Sequence, residues 1–250
     1  MHNNKYFIHL SYKGTNYNGW QRQKNGLGVQ EVLETQLSRM FRQKMLVHGC
    51  GRTDAGVHAR QYFCHVLIGR SWDFDAVFRI NKMLPNDIRV HQFIPVPVRA
   101  NAQLDVIHRT YTYHIHNRED PFLFDLSSFY FIQNPDLKGM QEAAALLVRY
   151  QDYLSFCTKP DRYPHTLCQV SESSMVVDLT GHHFQFRITA NRFLRSMVRM
   201  IMGYLLQIGQ RKFSVEQFEA LLKNPRPCTN AQLAYPQGLY LSEVSYPDFD

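Results

Sequence analysis

The order of apolar and polar residues in the first hundred positions follows two different periods. From Tyr6 to Tyr12, alternate side chains fall on two distinct faces, as in a β-strand. From Val29 to Phe41, apolar residues recur every three or four positions, which predicts an amphipathic helix with Glu34 on its polar side. Strand-like runs follow at 62–68 and 88–93. This order of elements is typical of an α+β domain.

A second set of strand and helix patterns begins near residue 105. It contains predicted strands at 108–116 and 239–246, a hairpin of 176–179 with 184–190, and helices starting at 137, running over 193–208 and following a capping box at 214–217. We therefore expect two domains, 1–105 and 106–250.

Length and composition place the chain among globular proteins. Its 250 residues are 44% hydrophobic and 20% charged. The most apolar stretch, 193–208, is interrupted by two arginines and is too short to cross a membrane. No export signal is expected in Met1–Lys5, and five scattered cysteines indicate a reduced, cytoplasmic protein.

The net charge of +7 is unevenly distributed along the chain. Residues 1–105 hold 14 basic and 7 acidic side chains, whereas the remainder holds 14 of each. Basic side chains that neutralise phosphates release counterions, so this asymmetry favours a nucleic-acid partner. A basic surface that only keeps the protein in solution is the alternative.

One loop and one predicted helix carry candidate chemistry. In the segment 49–58, three glycines surround Arg52 and Asp54, a composition that allows backbone to approach a ligand. A plain turn, with the carboxylate bound to nearby amides, explains the same residues. Arg192, Arg195 and Arg199 are spaced as one face of a helix, which favours an anion opposite them, either a phosphate or a carboxylate such as Asp54; a solvated rim is the alternative.

Other chemistries find little support in the sequence. His114 and His116 share a strand face, but the sequence has no third metal ligand at a spacing typical of a metal site. Phosphate-binding loops and dinucleotide fingerprints are absent from the sequence, so no nucleotide cofactor is indicated.

Five stretches resemble the motifs of the tRNA pseudouridine synthase A family, in the family's order. The segment Gly51–His58 (GRTDAGVH) is similar to its catalytic motif and Arg109–Tyr113 (RTYTY) to its tyrosine motif. Asn191–Arg199 (NRFLRSMVR) resembles its arginine helix, Gly238–Leu241 (GLYL) its carboxy-terminal signature, and Tyr12–Gln21 a motif near the start. The resemblance covers essentially the whole chain.

The resemblance implies two α/β subdomains related by pseudo-symmetry, with antiparallel sheets around a central basic cleft. It implies a homodimer that needs no cofactor or metal and converts uridine to pseudouridine at positions 38–40 of the tRNA anticodon stem-loop. It identifies Asp54 as the catalytic aspartate, Tyr111 as the active-site tyrosine and Arg199 as the arginine that pairs with the aspartate. The expected RNA contacts are Arg52, Arg60, Arg109, Arg192 and Arg195.

Three positions depart from the family pattern. Gln103 and Gln169 stand where the family often has arginine, and Met200 replaces a frequent asparagine. The arginine at the first position is tied to RNA handling, so two alternatives stay open: an RNA-binding or RNA-folding protein that has lost catalysis or changed its target, and a nucleoside hydrolase.

Overall fold

The computed structural model describes residues 4–69, 71–228 and 232–248. The chain falls into two compact units: unit 1 comprises Met1–Ile107 with Tyr240–Asp250, and unit 2 comprises His108–Leu239. No helix in the described ranges has the length and apolar character needed to span a bilayer. The expectation of no export signal rests partly on residues 1–3, which lie outside the described residues.

The mixed α+β class predicted from the sequence is confirmed. In chain order, the strands and helices are β1 (Asn4–Tyr12), α1 (Val29–Phe41), β2 (His48–Gly49), β3 (His58–Ile68), α2 (Ala76–Met83), β4 (Ile88–Val96), β5 (His108–His116), β6 (Ser128–Phe129), α3 (Leu137–Leu146), β7 (Val170–Val177), β8 (His183–Ala190), α4 (Met197–Gly209), α5 (Val215–Lys223) and β9 (Leu239–Ser245). The predicted bounds of α1 coincide with the observed ones, and the predicted capping box of Ser214 and Gln217 begins α5.

Unit 1 is built around β1, which pairs antiparallel with both β3 and β4. β2 adds to β3, and residues 240–241 of β9 pair in parallel with residues 58–59 of β3. The core between strands and helices contains Ile8, Leu10, Leu33 and Leu37, all without solvent exposure. Burial of each such side chain stabilises the unit by about 1.5–3 kcal/mol.

In unit 2, β5 pairs antiparallel with β8, and β8 continues antiparallel to β7. Helix α3 packs against α4, α5 and β7. Helix α4 is apolar on nearly every side and buried along most of its length, as expected of a helix that forms the centre of a core. Its first turn and the end of β5 nearest Arg109 carry the candidate residues of this unit.

Several details of the sequence-based prediction are wrong. Helix α4 begins at Met197 rather than Phe193, α2 was not predicted, and β7 starts at Val170, six residues earlier than expected. Glu34 is buried rather than on a polar face, because its carboxylate accepts the Val47 N–H at 3.1 Å and pairs with Arg22 at 3.0 Å. That buried carboxylate fixes the chain as it enters β2.

Candidate active site

Asp54 lies on the loop 50–57, between β2 and β3 of unit 1, and its side chain is half-buried. The loop turns sharply at Gly56, which has a φ of 77°. The Val57 N–H bonds the main-chain oxygen of Asp54 at 3.2 Å, and the Gly56 N–H bonds the Tyr17 oxygen at 3.2 Å. Main-chain oxygens thus satisfy both amides, so the turn does not depend on the carboxylate binding either of them.

The segment after β1 forms the backing of this loop. A Cβ added at Gly14 would lie 2.0 Å from the Val57 oxygen, and one at Gly19 would lie 2.2 Å from the Thr53 oxygen. Gly19 also has a φ of 82°, a conformation that L side chains rarely adopt. The two backbones can approach this closely only because both positions are glycine.

Three buried aromatic residues support the other side of the loop. The Tyr62 hydroxyl donates to the Gly51 oxygen at 2.6 Å, and the Tyr12 hydroxyl lies 2.8 Å from Thr53 Oγ1. The rings of Trp20 and Tyr62 stack with centroids 4.1 Å apart. Burial raises the pKa of Tyr62 well above its ordinary value, so this hydroxyl remains a hydrogen-bond donor.

Arg52 and Arg60, expected as RNA contacts, are both exposed in unit 1. Arg52 lies on the Asp54 loop itself. The guanidinium of Arg60 lies 5.3 Å from the ring centroid of Tyr240, within the range of a cation–π contact. Tyr240 belongs to the predicted carboxy-terminal signature, which therefore contributes directly to unit 1.

Tyr111 lies on β5 of unit 2 and is half-buried. Its ring meets that of Phe193 edge to face, with centroids 4.9 Å apart and an angle of 84°. On the same strand, Arg109 donates from Nη1 to the Asn191 oxygen at 3.4 Å. The tyrosine motif and the segment 191–193 therefore come together in this unit.

Arg199 is fixed in the first turn of α4 by the segment that precedes β9. Its Nε donates to the Ala234 oxygen at 2.7 Å, and the Ala234 N–H returns a bond to the Arg199 oxygen at 3.1 Å. Gly203 lets this segment approach α4, since an added Cβ would lie 2.1 Å from the Gln232 oxygen. The Nε bond sets the plane of the guanidinium, whose other donors are on Nη1 and Nη2.

Tyr113 and Tyr130 pack against Tyr235 of this segment, and the sequence does not predict this tyrosine cluster. The Tyr113 hydroxyl lies 2.7 Å from the Tyr235 oxygen, and the rings of Tyr130 and Tyr235 stack at 5.1 Å. Burial raises the pKa of Tyr113 and Tyr130, while the positive charge of Arg199 acts in the opposite direction on both. The three tyrosines are far apart in sequence, so no local pattern marks them as a group.

Arg192 and Arg195 do not share a helix face with Arg199, contrary to the sequence-based expectation. Both precede α4, and Ser196 between them and the helix has a left-handed φ of 61°. The reason is tertiary: the main-chain N–H of Arg195 donates to the Tyr163 hydroxyl at 2.9 Å, which holds this stretch outside the helix. Arg192 is half-buried and Arg195 is exposed.

The three departures from the family pattern occupy different environments. Met200 is buried in α4, where it adds to the apolar core. Gln169 and Asn191 exchange hydrogen bonds, with Gln169 N–H donating to Asn191 Oδ1 at 2.8 Å. Gln103 is exposed in a turn stabilised by the Asn101 side chain.

Among the described residues, His, Cys, Asp and Glu form no group of three or more suited to a metal ion.

Comparison with known proteins finds relatives that match along nearly the whole chain. A family model described as tRNA pseudouridine synthase matches residues 143–247. Proteins named tRNA pseudouridine synthase A are 37% identical in Porphyromonas gingivalis, over 97% of each chain, and 38% identical in Bacteroides fragilis, over 97% of this chain and 96% of the relative. The one from Parabacteroides distasonis is 34% identical over 98% of this chain and 96% of its own. Because these matches span both units, the chain belongs to the tRNA pseudouridine synthase A family.

Proposed function

We propose that this protein isomerises uridine to pseudouridine in tRNA, with Asp54 as the catalytic carboxylate. The observation that carries the reaction is the full-length similarity to proteins named tRNA pseudouridine synthase A. The role of Asp54 is supported by its place in a loop whose backbone is fixed on two sides. A catalytic group acts best when the surrounding structure holds it in place before substrate binds.

The reaction requires a group that manages C1′ of the ribose. The N1–C1′ bond breaks, the freed uracil turns, C5 bonds to C1′, and the proton that leaves C5 is balanced by one taken up at N1. A carboxylate serves this chemistry either by bonding to C1′, as in retaining glycosidases, or by removing the C2′ proton to give a glycal. Deuterium at C2′ separates the two routes, because only the second breaks that C–H bond and shows a primary isotope effect.

Arg199 and Tyr111 complete the proposed catalytic set. An arginine next to Asp54 would bind the carboxylate and hold it in place, since charge-assisted hydrogen bonds between a guanidinium and a carboxylate are strong and directional. The bond from Arg199 Nε to Ala234 supports this role, because it orients the guanidinium fork. Tyr111 would stack on the uracil, and its hydroxyl would assist removal of the C5 proton.

The finer features of the proposal concern the RNA and the assembly. Uridines at positions 38–40 lie within a stem-loop, and flipping one out of its stack costs a few kcal/mol. We propose that phosphate contacts from Arg52, Arg60, Arg109, Arg192 and Arg195 offset this cost, in a basic cleft of a cytoplasmic homodimer. These features follow from the family resemblance and from the excess of basic residues.

Release of tritium from tRNA carrying [5-³H]uridine tests the catalytic assignment, because the C5 hydrogen is lost only when pseudouridine forms. Asp54→Asn should lower the rate by ~10³-fold or more. The matched control is Asp73→Asn, which alters an exposed carboxylate of the same unit and should leave the rate unchanged. Normal activity of Asp54→Asn would refute the assignment.

Two further outcomes separate the alternatives. Tight binding of tRNA by the native protein, with no pseudouridine formed in any tRNA, would favour an RNA-binding protein without catalysis. Release of free uracil would indicate a nucleoside hydrolase. For Arg199→Ala, the rate of pseudouridine formation should fall, since the proposed catalytic carboxylate would lose its cationic partner.

A further inference from the structure

A second concentration of positive charge lies in unit 2, on the segments 158–165 and 191–196, and we call it the Tyr163 surface. Its Lys and Arg residues are Lys159, Arg162, Arg192 and Arg195, against the single acid Asp161. The local charge is therefore +3, although residues 106–250 as a whole carry equal numbers of basic and acidic side chains. All four cations except the half-buried Arg192 are exposed.

Tyr163 joins the two segments of this surface. Its hydroxyl accepts the Arg195 N–H at 2.9 Å, and its ring centroid lies 5.5 Å from the Arg192 guanidinium. Arg192 Nη1 also lies 3.4 Å from His165 Nε2, and the Thr158 N–H donates to the Arg195 oxygen at 3.4 Å. One half-buried tyrosine thus orders residues that are some thirty positions apart.

The arrangement gathers like charges without neutralising them. In the described part of the chain, none of the four cations forms an ion pair with a carboxylate. Grouped cations repel one another, so the arrangement becomes favourable when an anion with several charges lies across it. A row of phosphates fits such a spread of cations, and arginine guanidinium groups bind phosphate oxygens in a bidentate way.

We propose that the Tyr163 surface anchors the phosphate backbone of the tRNA, with Lys159 and Arg162 as further phosphate ligands. Tyr163 is a positioning residue that fixes the arginines before RNA binds. The proposal rests on the proposed function only in naming tRNA as the polyanion. By ordering the arginines in the free protein, Tyr163 lowers the entropy cost of binding, because a side chain that is already ordered loses less conformational freedom.

The test measures the affinity of the full-length protein for an unmodified tRNA transcript at several salt concentrations between 50 and 200 mM. Each lost phosphate contact reduces the slope of log K against log salt by about 0.7–0.9. The double variant Lys159→Ala/Arg162→Ala should therefore reduce the slope by about 1.5 and weaken binding roughly tenfold at physiological salt. Asp161→Lys adds a cation and should steepen the slope by up to about 1.

Tyr163→Ala and Tyr163→Phe separate positioning from packing. The alanine variant should weaken tRNA binding, whereas the phenylalanine variant, which keeps the ring under Arg192, should recover most of it. The matched control is Arg118→Ala, an exposed arginine just past the opposite end of β5 from Arg109, and it should leave both slope and affinity unchanged. Unfolding curves of every variant exclude loss of the fold as the cause.

Three results would overturn the anchor: an unchanged salt slope in the double variant, a loss in Arg118→Ala as large as in the double variant, or no binding of tRNA by the native protein. Pseudouridine formation is scored separately. If the native protein binds tRNA with the expected slopes but makes no pseudouridine, the proposed reaction fails and the anchor stands. If it is active and the double variant raises KM while keeping kcat, both stand.

Discussion

The two stretches that carry the proposed catalytic residues are held in place by different kinds of contact. The Asp54 loop is fixed mainly through its backbone, by glycines that leave no room for a Cβ and by hydroxyls that bond main-chain or loop oxygens. Arg199 is fixed by a pair of bonds to Ala234 and by helix packing. At Gly19 an added Cβ would meet backbone at a left-handed φ, whereas at Gly203 it would meet backbone on a helix, where alanine is otherwise favoured. This difference predicts where each unit is most sensitive to substitution.

The largest effect is expected at Gly19. Gly19→Ala places a Cβ 2.2 Å from the Thr53 oxygen at a φ of 82°. Neither backbone can move without displacing the Asp54 loop, so the free energy of unfolding should fall by about 3 kcal/mol, with loss of tRNA isomerisation. Urea unfolding and tritium release measure the two effects.

The control for this substitution is Gly181→Ala. Gly181 has a similar φ of 72° but no atom within 4 Å of an added Cβ. It should cost only the left-handed strain, about 1 kcal/mol, and leave activity intact. Equal losses at the two positions would show that strain alone, rather than the close backbone approach, determines the result.

A smaller effect is expected at Gly203 in unit 2. An added Cβ would lie 2.1 Å from the Gln232 oxygen, but Ala gains about 1 kcal/mol in helix propensity over Gly. Gly203→Ala should therefore lower the free energy of unfolding by about 1–2 kcal/mol and reduce activity by shifting Ala234 away from Arg199. A loss as large as that of Gly19→Ala would contradict the comparison between the units.

Gly209→Ala on the same helix is the matched control. There the nearest atom to an added Cβ is Met140 Sδ at 2.6 Å, at the flexible end of a side chain. Because that side chain can adopt another rotamer, we expect a stability close to that of the native protein. Circular dichroism during thermal unfolding is sufficient to rank the two variants.

Removal of single hydroxyls should sharpen the contrast further. Tyr62→Phe deletes the donor to the Gly51 oxygen and leaves that group without its hydrogen bond, at a cost of about 1–2 kcal/mol. Tyr113→Phe in unit 2 removes a hydroxyl shared between Tyr235 and Ser128, with a similar cost. We expect the Tyr62 variant to lose more activity per kcal/mol of lost stability, because the Tyr62 hydroxyl bonds the Asp54 loop directly. For each variant, the fold-loss in kcat is divided by the loss in the free energy of unfolding, and the two ratios are compared.

The smallest effect concerns the stability of unit 1 at acid pH, through His65. Burial, with the nearby positive charges of Lys5 and His48, lowers the pKa of His65 from 6.5 to about 4, while Asp105 acts in the opposite direction. As the pH falls below 6.5, His65 takes up a proton in the unfolded chain before it does so in the folded unit. The contribution of neutral His65 to the free energy of unfolding is therefore fully present above pH 6.5 and is lost as the pH falls toward 4. Its size should be about 1 kcal/mol, since solvent near the ring screens part of the shift.

Urea unfolding at pH 7.5 and pH 5 measures this contribution. His65→Gln keeps a hydrogen-bond acceptor for the Ala102 N–H, which now bonds His65 Nδ1 at 3.1 Å. The variant should show a weaker loss of stability between the two pH values. An identical pH dependence in both proteins would assign the acid sensitivity to other groups, such as His9, whose pKa burial and His91 also lower.

Local periodicity accounts for the elements that were predicted correctly. Helix α1 begins and ends where its apolar spacing begins and ends, because a regular stripe faces one core. Helix α2 has only eight residues and buries only Ala76 and Ile80, so it leaves little pattern to find. The early part of β7 carries mostly polar, exposed side chains, and without apolar alternation it gives no strand signal.

The sequence motifs identify the candidate site residues, but they do not reveal the contacts that hold those residues in place. Asp54 and Arg199 stand out through a resemblance in sequence, and their catalytic roles stay predictions. The hydrogen bond from the Arg195 N–H to the Tyr163 hydroxyl cannot be read from the helical spacing of the arginines, so the predicted start of α4 is too early. The reciprocal bonds of Arg199 with Ala234 likewise join residues 35 positions apart, beyond the reach of any periodicity.

The parallel pairing of β9 with β3 has a consequence for how the molecule is made. Residues 58–59 at the base of the Asp54 loop meet residues 240–241, so all of unit 2 lies between the two partners in the chain. A ribosome must therefore translate unit 2 completely before unit 1 can close. Contacts between residues so distant in sequence slow folding. The nascent protein thus acquires a finished Asp54 loop only after unit 2 has been made, when β9 pairs with β3 and completes unit 1.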